Sequence, residues 1–349
     1  MKIYKKIILI VLAILVAVGA LLVFGYYSIF HKNNIAEEGF LKIYRNMEYD
    51  QICEAIDTSG MLANNATFHI AAKVMGLEDS FKPGLYKFKK GMNNKAIVRT
   101  LAYGWQTPTN VTITGYIRSK EKLAQVLSSK LEADSTLFMQ VLSDTILMHS
   151  FGFTEASYPG MIIPNTYEMW WTVTPVEFLE KMKKEYDRFW NEERCAKADS
   201  IGLTKEQVST LASIVIEETK YEPEMATVAG VYMNRLKKGM RLQADPTVLF
   251  AIGDRSIRRV LRTHLSVDSP YNTYKYTGLP PGPITIPPIS ALDAVLNYED
   301  HDYIYFCAKA TFDGQHSFAK DYTEHLRNAR AYHRAFTARE REKAKTKTE

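Results

Sequence analysis

The sequence predicts an α+β protein carried on one N-terminal transmembrane helix, with a small α+β subdomain followed by a larger, mixed α/β domain. Three observations lead there. Ile7 to Phe30 contains no charged residue, and at about 1.5 Å per residue it is long enough to cross a hydrocarbon core of about 30 Å. Between Gly39 and Trp105 short alternating stretches are interleaved with short helical patterns. Beyond that point longer helical periods dominate, until a strand, turn and strand signal near the C-terminal end.

The 349 residues suffice for about two domains. Hydrophobic residues make up 46% and charged residues 24%, as in an ordinary globular protein. The net charge of +5 is a mild excess that lies largely at the two ends. No basic face with interleaved aromatics stands out, so nucleic acid is not an expected partner. Cys53, Cys195 and Cys307 are widely spaced and odd in number, which argues against a disulfide framework. The chain has no C-x-x-C, no H-E-x-x-H, no G-x-S-x-G, no P-loop and no G-x-G-x-x-G, so no metal site and no cofactor is expected.

Residues 1–6 are expected in the cytoplasm. Lys2, Lys5 and Lys6 precede the apolar run of residues 7–30, and the positive-inside rule sends the remainder across the membrane. A cleaved signal peptide is the rival reading, because Val18-Gly19-Ala20 offers small residues; the apolar run continues through Leu21, Leu22, Val23 and Phe24, too long for an h-region. In the subdomain, helices are expected over Tyr49 to Met61, Thr67 to Met75 and Asn94 to Ala102, with a turn at Pro83-Gly84 and a strand over Leu85 to Lys89. This module reads equally as a spacer or as a carbohydrate-binding unit.

Val111-Thr112-Ile113 is β-rich and leads into helical patterns over Ser119 to Leu131 and Ser135 to Leu147. Tyr158, Tyr167, Trp170 and Trp171 then concentrate ring faces, suited to a core or to stacking on sugars. Pro175 to Ala198 is expected as one amphipathic helix with Phe178, Met182, Tyr186 and Trp190 on one side.

Thr204 followed by Gln207 is a capping-box start. In the helix that follows, Val208, Leu211, Ala212 and Val215 share an apolar stripe with Ile214 at its edge. Glu218, at i+3 from Val215 and i+7 from Leu211, falls on the buried side, whereas Glu217 is expected on a wetter face. A carboxyl held among apolar neighbours resists ionisation, as a general acid at neutral pH requires. The bland alternative is a helix-end carboxylate bridged to a Lys or Arg.

A second helix is expected from Pro223, with Met225, Val228, Ala229, Tyr232 and Leu236 inward, Asn234 and Arg235 near its end and Gly239 as its stop. Gln243, Asp245 and Thr247 follow on a proline-containing turn, where side chains are expected to project freely. Tyr271, Asn272, Thr273 and Tyr274, with the Gly278–Gly282 loop, complete a polar and aromatic rim. Tyr303 to Ala308 reads as a strand, Asp313-Gly314 as a hairpin turn and Gln315 to Phe318 as the return. A helix over Asp321 to Phe336 precedes residues 337–349, expected as a solvated charged tail.

LASIVIEET, VAGVYMNRLKKGMRLQADPTV and SPYNTYKYTGLPPGPI, followed by YIYFCA and HSF, resemble in order the MltG-type, YceG-like endolytic murein transglycosylases. The resemblance implies a bitopic inner-membrane enzyme with a LysM-like subdomain, here residues 36–106, and a catalytic domain, here 107–336, on the periplasmic side. It implies internal cleavage of peptidoglycan glycan strands between MurNAc and GlcNAc with a 1,6-anhydro end, and it leaves peptidoglycan synthases as candidate protein partners. The family's essential Glu precedes a Thr, which is Glu218 here. The chain departs from the family pattern at Ile216, at Gly115-Tyr116 and at Asn165.

A lone carboxyl can serve such a reaction because the attack is intramolecular. The substrate-binding candidates are Asn234, Arg235, Gln243, Asp245, Thr247, Tyr271, Asn272 and Tyr274. The alternatives are a hydrolytic muramidase using Asp245 as base or nucleophile, and a membrane-anchored peptidoglycan-binding scaffold with little turnover.

Overall fold

In the computed structural model, residues 2–254, 257 and 259–346 are described. Its Cα packing divides the chain into two compact units: the first is Met1–Val111 with Ser128–Asp134 and Glu168–Thr174, the second Thr112–Leu127, Ser135–Tyr167 and Pro175–Glu349.

The first unit opens with the apolar helix α1 (Lys2–Phe30), whose side chains between Ile3 and Phe24 are exposed, as suits a single membrane-spanning anchor. Next come β1 (Gly39–Ile43), α2 (Tyr49–Thr58), α3 (Asn65–Val74), β2 (Gly84–Phe88) and α4 (Asn94–Ala102). β1 and β2 pair antiparallel, from Gly39 opposite Phe88 to Ile43 opposite Gly84. Ile43, Ile52, Ile56, Phe68, Tyr86 and Ile97 form the core between this hairpin-like pair and the helices. The helices start where Asn side chains cap them: Asn64 accepts from Thr67 N and Asn93 from Ala96 N.

α1 is joined to this core by polar bonds as well as by packing on α3 and α4. Asn94 is fully buried; its amide donates to the Ile29 carbonyl (2.8 Å) and to Thr67 Oγ1 (3.1 Å), while its oxygen accepts from Asn34 (2.7 Å). Asn34 in turn donates to the Asn64 carbonyl and accepts from Asn64 N, both at 2.8 Å. Two later stretches join the unit through Arg45, whose backbone N and Nε bond Glu132 at 2.7 and 3.1 Å and whose guanidinium donates to the Thr172 carbonyl. Trp171 is buried against Tyr44 (4.8 Å between ring centroids), whereas Trp170 is 50% exposed.

β3 (Thr109–Ile113) and β4 (Asn165–Met169) form a two-stranded sheet. In the second unit α5 (Lys120–Ser128), α6 (Ser135–Leu142) and α7 (Thr145–Ser150) precede a 3-10 turn at Tyr158–Met161. The single helix expected over Ser135 to Leu147 is broken because the Asp144 carboxylate caps a new start at Leu147 N. The long helix expected over Pro175 to Ala198 is likewise two, α8 (Pro175–Phe189) and α9 (Glu192–Ser200). Asn191 caps the second, and Phe178, Met182, Tyr186 and Trp190 are buried as expected. Tyr158 and Tyr167 are also core rather than exposed ring faces.

α10 (Lys205–Glu218) begins with the predicted capping box of Thr204 and Gln207. Its apolar stripe, however, is not a stripe, since every residue from Val208 to Ile216 is buried, Ile214 included. A helix enclosed on all sides satisfies its polar residues internally: Ser209 and Thr210 bond the preceding turn, and Ser213 donates to the Thr210 carbonyl while accepting from Ile284 N. Around it lie α11 (Glu222–Lys237), α12 (Asp245–Ile252) and α13 (Ile289–Leu296). In α11, Val231 and Met233 join the expected inward residues, Leu236 is only partly buried, and Gly239 ends the helix at φ +64°. Gly282 abuts the Ala156 carbonyl so closely that a Cβ has no room.

β5 (Tyr305–Ala308) and β6 (His316–Ala319) form the expected antiparallel hairpin. α14 (Tyr322–Thr346) then runs on through most of the segment expected as a loose tail. Ala, Arg, Glu and Lys are strong helix formers, and pairs such as Lys343 with Glu340 (3.1 Å) add local support. The rest of that segment, residues 347–349, lies outside the described residues.

Replacing Asn94 by Leu removes a buried amide but leaves the Ile29 carbonyl and Asn34 without it. The expected cost is about 2–3 kcal/mol, together with faster hydrogen exchange of the amides around residues 29–34 in detergent; unchanged exchange there would refute the role given to Asn94.

Candidate active site

The C-terminal end of α10 places Glu218 where the enclosed helix meets α11. Its Oε1 accepts a hydrogen bond from the Tyr232 hydroxyl at 3.0 Å. Tyr232 is 1% exposed, so its ring supplies apolar cover and its hydroxyl finds a buried partner. No Lys or Arg forms an ion pair with Glu218 among the described residues, in contrast to the bland expectation of a bridged helix-end carboxylate. Burial pushes the Glu218 carboxyl up to about 7; the Tyr232 bond and the Arg235 charge lower it, while the Asp245 and Glu217 carboxylates raise it.

Glu217 is not on a wet face. Its side chain is 9% exposed and is gripped in two-pronged fashion by Arg118, with Nε at 2.7 Å from Oε1. A fork of two parallel bonds fixes the carboxylate in place. Adjacent glutamates are thereby set apart: one is clasped by a guanidinium, and the other is shielded and raised towards neutrality.

The eight substrate-binding candidates fall into two groups. Asn234, Arg235, Thr247 and Asn272 are engaged with the protein itself, for Thr247 contrary to the free projection expected of it. Asn234 donates to the carbonyls of His301 and Tyr303 (2.5 and 3.1 Å), and Arg235, 7% exposed, to those of Ile304 and Leu242 (2.8 and 2.5 Å). Thr247 donates to the Ala244 carbonyl at 2.7 Å and lies 2.8 Å from Thr273 Oγ1, deep under the start of α12. Asn272 donates to the Leu265 and Val267 carbonyls and accepts from Tyr274 N. Buried polar side chains beside irregular backbone do this because an unpaired carbonyl costs more than an ordinary bond gains. Arg235 still acts at a distance, because its charge bears on Glu218, Tyr232 and Tyr274.

The other four are accessible. Asp245 is exposed in the first turn of α12, and the Tyr274 hydroxyl donates to its Oδ1 at 2.6 Å. Gln243 is exposed and has φ +49°, a left-handed conformation that costs a non-glycine residue about 1 kcal/mol, held by its N–H bond to the Thr273 carbonyl (3.1 Å). Tyr271 packs against Phe250 with ring centroids 4.6 Å apart.

Two cavities adjoin this group. One of 420 Å³ is lined by Glu217, Pro246 and Arg118, and one of 630 Å³ by Tyr158, Tyr271 and Thr285; both share Arg118, Ser119, Glu121, Phe250 and Ile284. Glu218 itself lies beside these cavities rather than lining them. Among the described residues no three His, Cys, Asp or Glu side chains gather as a metal-holding group.

Tyr232 and Arg118 are the residues that sequence reasoning did not assign to the site. A Tyr in an apolar helical stripe carries a hydroxyl in need of a partner, so Tyr232 could have been found. Arg118 precedes its helix in a loop and carries no such signal.

The raised acidity constant has a stability consequence. Below about pH 4.5, the ordinary value, Glu218 is protonated in both folded and unfolded chains. Its burial penalty grows as pH rises towards about 7 and is constant above that, so the folded state loses stability over this window. Glu218→Gln should therefore be more stable than the parent at pH 8, by about 3 kcal/mol, with the difference nearly gone at pH 4.5. Thermal unfolding of both proteins in detergent at the two pH values checks this; a gap of the same size at both would contradict it.

Comparison with known proteins shows the family. The YceG-like family model matches residues 41–331. The "Endolytic murein transglycosylase" of Bacillus subtilis is 32% identical over 298 residues, covering 80% of this chain and 81% of that protein. Its Streptococcus pneumoniae namesake is 26% identical over 307 residues, 80% of this chain and 55% of the relative. A 2.6 Å crystal structure of a yceG-like protein from Listeria monocytogenes superposes with a TM-score of 0.56 at 26% identity, over 83% of this chain and 98% of that one. With most of its length matched by the family model and by a relative of similar extent, this chain belongs to the YceG-like family.

Proposed function

We propose that this protein is a membrane-anchored endolytic murein transglycosylase that cuts peptidoglycan glycan strands internally, between MurNAc and GlcNAc, and leaves 1,6-anhydroMurNAc ends. The observation that carries this is the unpaired, shielded Glu218 carboxyl, raised to about 7 and hydrogen-bonded by Tyr232. Such a group is close to half-protonated at neutral pH, the condition for one residue to act first as acid and then as base.

Protonated Glu218 gives its proton to the glycosidic oxygen as the bond to C1 breaks, and the GlcNAc-bearing fragment leaves as an alcohol. The remaining MurNAc ring carries positive charge shared between C1 and its ring oxygen. Glu218, now a carboxylate, removes the C6 hydroxyl proton while O6 bonds to C1. Water is neither consumed nor needed, and proximity within one sugar replaces a second catalytic carboxylate. Asp245, oriented by Tyr274, offers negative charge near this centre, as its influence on Glu218 indicates. Gln243 and Tyr271 are the further accessible groups for holding the sugars, while Asn234, Arg235, Thr247 and Asn272 shape the loops that carry them.

The N-terminal lysines and the apolar α1 support an orientation with residues 1–6 in the cytoplasm, α1 in the membrane and the chain beyond it outside, facing the wall. The β1-α2-α3-β2 order supports reading residues 36–106 as LysM-like, with 107–336 as the catalytic domain. An enzyme tethered in this way meets strands as they emerge from membrane-bound synthases, which are its expected neighbours.

Purified protein incubated with glycan strands should yield anhydro-ended fragments by mass spectrometry, one water lighter than hydrolytic products, and Glu218→Gln should lose at least about 10³-fold in rate. Water-added ends would instead point to a muramidase, and turnover that persists in the variant would remove Glu218 from the chemistry. Because the Tyr232 bond lowers the Glu218 value, Tyr232→Phe should move the alkaline limb of the rate profile to higher pH and slow the reaction about tenfold; a limb displaced to lower pH would contradict the assignment.

A further inference from the structure

We infer that the 630 Å³ cavity is a second binding site that takes the peptide arm carried by the lactyl group of MurNAc. This deepens the transglycosylase reading and rests on it for the identity of the ligand. The cavity joins the smaller one beside Glu217 and Pro246 through shared walls at Arg118 and Phe250. A glycan strand lying across Glu218 and Asp245 therefore has a pocket within reach of a side branch.

An independent observation concerns one polar group in the pocket wall. Thr285 lines it, is 1% exposed, and its Oγ1 has no hydrogen-bond partner among the described residues. A buried hydroxyl without a partner costs free energy that a bound polar group restores.

The lining chemistry selects the class of ligand. Ile117, Leu123 and Met139 give an apolar floor suited to alkyl side chains more than to the hydroxylated faces of a sugar. At the rim, Lys120 and Glu155 (2.5 Å), with Glu155 66% exposed, form a pair of opposite charge that stands ready to exchange partners. A peptide carrying free carboxylates and an amino group matches both signs, whereas a neutral oligosaccharide matches neither. The arm would donate or accept at Thr285, seat its alkyl groups on the floor and place its charges at Lys120 and Glu155.

The test uses full-length protein in detergent, with peptide-bearing glycan strands, strands stripped of peptide by an amidase, and the peptide that the amidase releases. The parent should cut peptide-bearing strands with kcat/KM about tenfold or more above stripped strands. Thr285→Val, which keeps the side-chain shape, and Met139→Trp, which fills the floor, should each bring that ratio towards one. By calorimetry the released peptide should bind the parent and Glu218→Gln alike, and Met139→Trp at least about tenfold more weakly. Equal cutting of both strands by the parent, or peptide binding indifferent to both pocket variants, overturns the proposal. Absence of anhydro product from either strand overturns the transglycosylase reading instead, and the peptide titration of Glu218→Gln still decides whether the pocket is a peptide site.

Discussion

The candidate site depends on one constraint: a carboxyl group largely shielded from water at the end of a helix that is itself enclosed. α10 buries every side chain from Val208 to Ile216, so its last residues emerge already surrounded by protein. Desolvation is the largest influence that raises Glu218, and the Asp245 and Glu217 carboxylates add to it. Pairing Glu217 with Arg118 is the complement of this, since it ties the adjacent carboxylate to a partner of its own. Tyr232 adds a single neutral donor, enough to orient the carboxyl without holding it permanently ionised.

Around this centre much of the polar chemistry is architectural. Asn234 and Arg235 hold the carbonyls of His301, Tyr303, Ile304 and Leu242, and Thr247, Thr273 and Asn272 hold the loops at the start of α12. Irregular backbone buried beside a site needs such partners, because it has no ladder of its own. Gln243 shows the effect on a smaller scale: a left-handed non-glycine residue is kept in place by its neighbour across the loop, which leaves its side chain in the open. Arg235 combines two functions, as a buried brace for carbonyls and as a charge that bears on Glu218.

Much of this was legible in the chain. The capping box at Thr204 and Gln207 fixed the register of α10, and the register placed Glu218 inward; the apolar run to Phe30 and the Gly239 stop were equally plain. What could not be read were features set by tertiary surroundings. Periodicity made α10 a stripe because a one-dimensional pattern cannot show that Ser209, Thr210 and Ser213 satisfy themselves within a buried helix. It merged α8 with α9 and α6 with α7 because single capping residues, Asn191 and Asp144, interrupt an otherwise continuous pattern. It judged Asn272 and Thr247 open because polarity suggests exposure, whereas loop carbonyls had claimed them. Arg118 gave no signal, since its partner lies far along the chain.

The buried asparagines of the first unit bear on how the protein lives at a lipid surface. Asn94 grips the carbonyl of Ile29 in the last turn of α1, so the membrane helix and the subdomain above it form a stiff mast, not a leash. Any lean that bilayer thickness imposes on the helix therefore bears on the subdomain. Each residue inserted into or deleted from the apolar run would turn the subdomain by about 100° about the mast, and length within the bilayer thereby becomes a setting for the direction the subdomain faces.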